Sequence, residues 1–481
     1  MSLTSLKSVL GALVVASFAT LQPALAQVVR FTPEQLREDF QIARKALAEA
    51  HGGIYRYASK AEIDRRFLQA ERRLDTPTDA RGFYRILQPA VASIACGHTR
   101  ALLPIELRES LKKELLLPLD VKVLKGRVFI LRDFAKGGSL AGQEIVSING
   151  VPISRILRVM TAAESGDGAI PTGRADEVGL AFKRSLFNLL GMRGSFALKL
   201  ADPKSGHRKT LTLSGRPLET LEQASLQLFP QDQPSKAFLK YSFLDEGNIA
   251  QLQIFNFNDA EADEDGASLF KKVFETIQAK GSQTLILDLR NNGGGEDALG
   301  KLLFSYLVDA PFSYYESLRV NRTPFTFGAY VDRPLPTFRE GTIEARSDGQ
   351  FNVLNHPNLG LQQPSLPSFR GRVFILINGG CFSTTSEFLT QAHAHRRATF
   401  IGEESGGGYF GNSSGGHMML TLPHTKVRLV VPLATYYLSA QGPHPANRGV
   451  FPDYPVERTI ADFLTGRDPE LELALGLARK P

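Results

Sequence analysis

The sequence predicts a mixed α/β protein with a largely parallel sheet in its C-terminal half. Three observations predict it. Short apolar runs at Ile249 to Phe257, Thr284 to Leu289 and Val373 to Ile377 alternate with helical patterns. Glycine-rich turns close the second and third runs, at Gly293–Gly295 and Gly379–Gly380. With 481 residues, 43% of them hydrophobic and 22% charged, the chain is long enough for more than one packed domain.

Residues 1–26 stand apart from this globular pattern. Lys7 is their only charge, Val9 to Leu21 is mostly apolar, and Ala24-Leu25-Ala26 has a small-x-small form. The expectation is a secretory signal peptide, with a mature chain from Gln27 in the periplasm or outside the cell. Disulfides persist there. The apolar core is too short to span a membrane, and no later stretch is long enough. The net charge is +7, carried by pairs such as Arg65-Arg66, Arg72-Arg73 and Arg396-Arg397. Such pairs read as solvated helix faces, not as a nucleic-acid patch.

Residues 27–100 read as a helical domain. Thr32-Pro33-Glu34-Gln35 is a capping box with proline at the first helical position, and Leu36, Phe40, Ala43 and Leu47 keep helical spacing. Gly52-Gly53 ends that helix. Ser59 to Glu62 is a second capping box, followed by Ile63, Phe67 and Leu74. A third helix is expected from about Asp79 to Ile94. Cys96-Gly97-His98-Thr99 then forms a turn, where a histidine by itself is more often a plain loop residue.

Residues 101–215 change to short strands. Val121, Val123, Val128, Ile130 and Leu131 flank the turn Lys125-Gly126. Gly142 to Ile153 (G-Q-E-I-V-S-I-N-G-V-P-I) resembles the core of a PDZ domain; the plainer reading is strand, turn and strand. Helical stretches surround the loop Gly166 to Gly173, strands close the region from Phe196 to Leu213, and Pro230 to Pro234 reads as a linker.

Residues 216–481 carry the alternating block. Its third run continues as N-G-G-C-F-S-T-T-S-E, so Ser383 sits between a buried strand and a helix beginning with Phe388, Leu389 and Ala392 on one face. A serine there is exposed by the turn and faces free N–H groups, which suits a nucleophile. An ordinary N-cap serine fits the same stretch.

Three segments together resemble the C-terminal processing (tail-specific) serine peptidases. They are L-D-L-R-N-N-G-G-G from Leu287, G-G-C-F-S-T-T-S-E-F from Gly379, and G-V-F-P-D-Y-P-V from Gly449. The resemblance is strongest from about Ile249 onward. It implies a ClpP/crotonase-like ββα-spiral core beside the helical and PDZ-like domains. It also implies Ser383 as nucleophile, with Thr384 and either Gly293 or Gly294 giving oxyanion N–H groups. Peptide or unfolded-protein substrates are implied, and no cofactor or metal.

The base departs from the family's best-known pattern. Where a lysine is expected, this chain has Gly408, or Gly415 if a gap is allowed; Lys426 lies in a strand pattern. C-G-H-T-R resembles the G-H-T segment of tricorn-like branches, which implies His98 as base, with His417 second. A carboxylate should orient it, and Glu403 or Glu404 is expected before Asp453. Some relatives on this fold bind apolar ligands without hydrolysis, so a binding protein for peptides or apolar ligands stays open. Cys96 and Cys381 are the only cysteines, each two residues before His98 or Ser383. If those meet, a Cys96–Cys381 disulfide is expected.

Overall fold

The computed structural model describes residues 29–480 apart from 136–138, 230–236, 261–263, 322–324 and 334–340. The signal-peptide and linker expectations, at 1–26 and Pro230–Pro234, therefore lie wholly or mainly outside the described residues.

Three N-terminal helices form as their caps dictate. Pro33–Ala50 starts at the reciprocal Thr32/Gln35 capping box. Lys60–Glu71 is capped by Ser59 alone, because the Glu62 side chain pairs with Arg66. Ala80–Ala92 is capped by Asp79. Their apolar faces (Leu36, Phe40, Phe67, Phe83, Leu87) share one core with Leu420, Leu429 and Val431 from far down the chain. Strand Arg100–Leu102 pairs with Arg428–Val431, which pairs with Met418–Thr421. Buried Asp39 adds a polar tie, accepting from Thr425 N and Oγ1 at 2.8 and 2.6 Å. The helical block is thus fastened to the C-terminal half on both sides of His98.

A β-rich unit follows. Strands Leu119–Leu124, Arg127–Asp133, Glu144–Ile148, Ser195–Ala201 and Arg208–Ser214 lie antiparallel in that order. Helices Ile153–Ala163 and Pro171–Leu190 contribute Ile156, Phe182 and Leu186 to the core of this unit, with Val128, Ile130, Ile145 and Phe196 from the strands.

The C-terminal block is built on a six-stranded sheet. Its order is Leu239–Leu244, Ile249–Ile254, Thr284–Asp288, Arg372–Ile377, Thr399–Gly402 and Tyr454–Pro455. The first pair is antiparallel and the rest are parallel. Both faces are covered. Leu285, Leu287, Ile375 and Ile377 pack under Phe270, Phe304 and Phe388, whereas Ile286, Leu376 and Ile401 face Ala474 and Ala478. This explains the continuous apolar runs, since each such side chain contributes about 1.5–3 kcal/mol when fully buried. Neighbouring strands Thr284–Asp288 and Arg372–Ile377 run in register, Leu287 opposite Ile375. Their C-terminal ends therefore deliver the two glycine-rich turns to one edge of the sheet.

Candidate active site

Ser383 sits where strand Arg372–Ile377 has turned into helix Thr384–Ala394. Its backbone has φ +54° and ψ −129°, a conformation that L residues rarely adopt and that the surrounding packing must enforce. The turn is held from several sides. Phe382 N–H donates to Asn292 O at 3.1 Å, Gly406 N–H to Cys381 O at 2.8 Å, and Ser386 Oγ to Cys381 O at 2.9 Å. The result places the Ser383 hydroxyl at a helix N-terminus without using it as a cap.

The glycine turn after strand Thr284–Asp288 packs directly on this serine. A Cβ at Gly294, where φ is +101°, would lie 2.7 Å from Ser383 Cβ and 2.9 Å from Thr384 N. Buried Asn292 organises the turn, its Oδ1 accepting from Gly294 N at 3.0 Å and from Thr385 Oγ1 at 2.7 Å. Gly294 N–H is therefore occupied. Among the described hydrogen bonds, Gly293 N–H and Thr384 N–H have no partner. Of the two glycines expected from sequence, Gly293 is the one left to donate to an oxyanion.

His98 reaches this point from 285 residues away. Its Nε2 lies 3.2 Å from Ser383 Oγ, and its ring stacks on Phe382 with centroids 4.6 Å apart. Gly97 makes room for that ring, since a Cβ there would meet Phe382 at 2.5 Å. Thr99 is fixed below by buried His51, Nε2 to Oγ1 2.8 Å. Burial pushes the His98 imidazole down to about 3, and His417, Arg100 and His51 add to the drop. His98 as a residue is half-buried, which tempers the drop. His98 Nδ1 is buried without a hydrogen-bond partner. The His417 ring lies 5.7 Å from that of His98, centroid to centroid.

A side chain would be crowded at both family positions for lysine. A Cβ at Gly408 would stand 2.3 Å from Tyr57 Oη, and one at Gly415, φ +72°, would stand 2.5 Å from Tyr436 Oη. Lys426 is exposed on the turn between two strands.

Two expectations need correction. Neither glutamate orients His98. Glu404 is held by Arg448, Nε to Oε1 2.8 Å, and by Gly449 N–H at 2.9 Å. It braces the closing G-V-F-P-D-Y-P-V segment. Glu403 lines a cavity with Lys122 and Asp176, and His98 is not among the residues lining it. Asp453, the third candidate, accepts from Phe400 N at 2.7 Å. The disulfide is also absent: Cys96 and Cys381 are both free and buried. His98 and Ser383 approach while the two thiols enter different cores. Cys96 Sγ lies 3.5 Å from Ser413 O, and Cys381 Sγ 3.1 Å from Leu289 O.

The carboxylate that does come close is Asp167, which the sequence reading missed. Cys96 Sγ, a His98 ring nitrogen and an Asp167 carboxylate oxygen lie within 4.8 Å of one another. Burial pushes the Cys96 thiol up to about 12, which keeps it neutral and makes it a poor metal donor. The signal for Asp167 was one acid between glycines in the loop Gly166 to Gly173.

Residues 248–456 match the family model described as peptidase family S41. That span, a little under half of the chain, is the part that is similar to peptidase family S41. The chain is a serine-type peptidase, and the matched span contains Ser383 and Gly293 but not His98. No curated protein matches it by sequence. Among solved structures, it is similar to mature CPAF at 15% identity and TM-score 0.63, covering 93% of this chain and 97% of that one. Mature CPAF complexed with lactacystin gives 16% identity and TM-score 0.64, covering 93% and 98%. The photosystem II D1 C-terminal processing protease gives 17% identity and TM-score 0.42, covering 89% and 94%. The CPAF likeness extends the shared fold over the helical and β-rich regions that precede the matched span.

Proposed function

We propose that this serine-type peptidase cleaves unfolded or C-terminal peptide segments with Ser383 as nucleophile and His98 as general base. The observation that carries the reading is the 3.2 Å contact between Ser383 Oγ and His98 Nε2. In the attack, His98 Nε2 takes the serine proton as Oγ bonds to the scissile carbonyl carbon. Thr384 N–H and Gly293 N–H receive the developing oxyanion. His98 then returns the proton to the leaving amine, and water releases the acyl group by the same steps in reverse. The neutral imidazole is the working form, and a depressed pKa keeps it neutral at physiological pH.

The β-rich unit supports a polypeptide substrate. Its edge strand Leu119–Leu124 contributes Lys122, Val123 and Leu124 to a cavity of about 760 Å³, opposite Asn291 and Glu403 of the core. Asn291 belongs to the same turn as Gly293. In this reading the unit acts as a PDZ-like module that accepts an extended peptide along that edge. The signal-like residues 1–26 support action outside the cytoplasm, and a mature N-terminus at Gln27 is the expected product.

The test compares wild type with Ser383→Ala on an unfolded protein substrate. The proposal expects cleavage by the wild type only, together with fluorophosphonate labelling of Ser383. Equal cleavage by both proteins would refute the assignment of Ser383.

A further inference from the structure

We propose that Asp167 is the positioning residue for the catalytic imidazole, taking the place expected of Glu403 or Glu404. The inference rests on the Ser383–His98 reading above. Asp167 is 1% exposed and lies in the loop between helices Ile153–Ala163 and Pro171–Leu190. That loop is stitched to the His98 turn. Gly97 N–H donates to Asp167 Oδ1 at 2.8 Å, Gly168 N–H to Ala95 O at 3.0 Å, and Ser165 Oγ to Thr99 O at 2.6 Å.

It is equally fastened on the other side. Gly408 N–H donates to Asp167 Oδ2 at 3.2 Å, and Ala169 N–H to Asn447 O at 2.8 Å. Arg174 spans the loop from within, donating to Gly166 O at 2.6 Å, Gly168 O at 2.9 Å and Ile170 O at 3.1 Å. Gly168, φ +53°, is required there, because a Cβ would stand 2.4 Å from Asn447 O. The carboxylate is thus held beside His98 by backbone N–H groups of two segments, at Gly97 and Gly408, and its loop is tied to a third at Asn447.

The chemistry needs a carboxylate at this place. His98 Nε2 faces Ser383, so Nδ1 is the nitrogen left for an orienting partner, and it is buried without one. A ring nitrogen of His98 and an Asp167 oxygen fall within 4.8 Å, a gap closed by one bridging water or a small ring rotation on substrate binding. When Nε2 takes the serine proton, the new positive charge is shared with Nδ1–H. Burial, His417, Arg100 and His51 all oppose that charge. Asp167 is the anion placed to favour it. Burial raises the Asp167 carboxyl overall, and the Gly97 and Gly408 N–H groups and the Arg56 and Arg174 guanidiniums offset part of that rise. Tyr57 and Cys96 are the remaining titratable groups facing it.

The experiment compares Asp167→Asn with wild type for kcat, KM and the pH profile. Ser383→Ala and His98→Ala are measured beside it. We expect kcat to fall on the order of 10²- to 10⁴-fold with KM little changed. The acid limb should move down by about one pH unit, because removing an anion makes the imidazolium harder to form. A merely structural role would lower activity and leave that limb in place; this result, or wild-type kinetics, overturns the inference. A nitrogen-15 spectrum of the wild type gives a readout independent of the variant's folding. It should show His98 protonated at Nδ1, and the opposite tautomer overturns the inference. If Ser383→Ala and His98→Ala cleave normally, the Ser383–His98 reading itself fails. If both are inactive while Asp167→Asn behaves as wild type, only the Asp167 assignment falls.

Discussion

The two sides of the site are made in different ways. Ser383, Thr384 and Gly293 come from turns at the ends of two adjacent parallel strands, and the two turns brace each other through Asn292. His98 comes from a loop outside the family-matched span and owes its place to long-range fastening. Strand Arg100–Leu102 is paired with Arg428–Val431 from the C-terminal half, Thr99 is bonded to His51, and Gly97 is bonded to Asp167. The nucleophile is therefore a product of two neighbouring strand ends within one sheet, and the base is a product of domain assembly. Variants on the two sides should fail in different ways.

The largest effect is expected from His98→Ala. Removing the base should lower kcat by about 10⁴-fold or more while leaving a cooperative melt, as thermal unfolding and a steady-state assay would show. Gly294→Ala comes next, on the serine side. Its Cβ would crowd Ser383 Cβ, Phe382 O at 2.8 Å and Thr384 N, at a φ of +101°. Activity should fall about 10²- to 10³-fold, comparable to loss of an oxyanion donor, and fluorophosphonate labelling should slow in parallel. Full activity in this variant would mean that the glycine turn does not support the nucleophile.

The wild-type pH profile separates the two sides further. The neutral imidazole is the active form, and its pKa is depressed by burial. Activity should rise as pH increases through a midpoint below 6.5 and stay flat through neutrality. A midpoint above 6.5 would show that a stronger anionic partner dominates His98.

Much of the serine side was legible from sequence, because apolar runs and glycine turns report strand ends directly. The helices and their caps were legible for the same reason: Thr32, Ser59 and Asp79 act within three residues. His98 was readable only through a family resemblance. Its orienting acid was not readable, since Asp167 is brought to Gly97 and Gly408 by contacts 70 and 241 residues apart. Glu403 and Glu404 failed as candidates because the expectation rested on a match of their segment to the family's G-E-x-x-G pattern, which does not fix what each side chain meets. The structure gives Glu404 to Arg448 instead. The disulfide failed because two residues of separation from each catalytic group do not fix the direction of a side chain.

Smaller effects sharpen the same contrast. Glu404→Gln should lower stability by about 1–3 kcal/mol, because Gly449 N–H and Arg448 lose a charged partner. The acid limb of its pH profile should not move, in contrast to Asp167→Asn. Denaturant titration and a pH series on the same preparation would check this. The smallest expected effect is that of a reductant. With Cys96 and Cys381 free, dithiothreitol should leave the melting temperature unchanged, and unfolded, unreduced protein should show two reactive thiols.

The assembly of the site is tested most directly by a double-mutant cycle on Ser383→Ala and His98→Ala, read as kcat on an unfolded protein substrate. If the 3.2 Å contact makes the two residues one catalytic unit, the double variant is no slower than the slower single variant. Losses that multiply across the two singles would show that serine and histidine act independently, and would contradict the account.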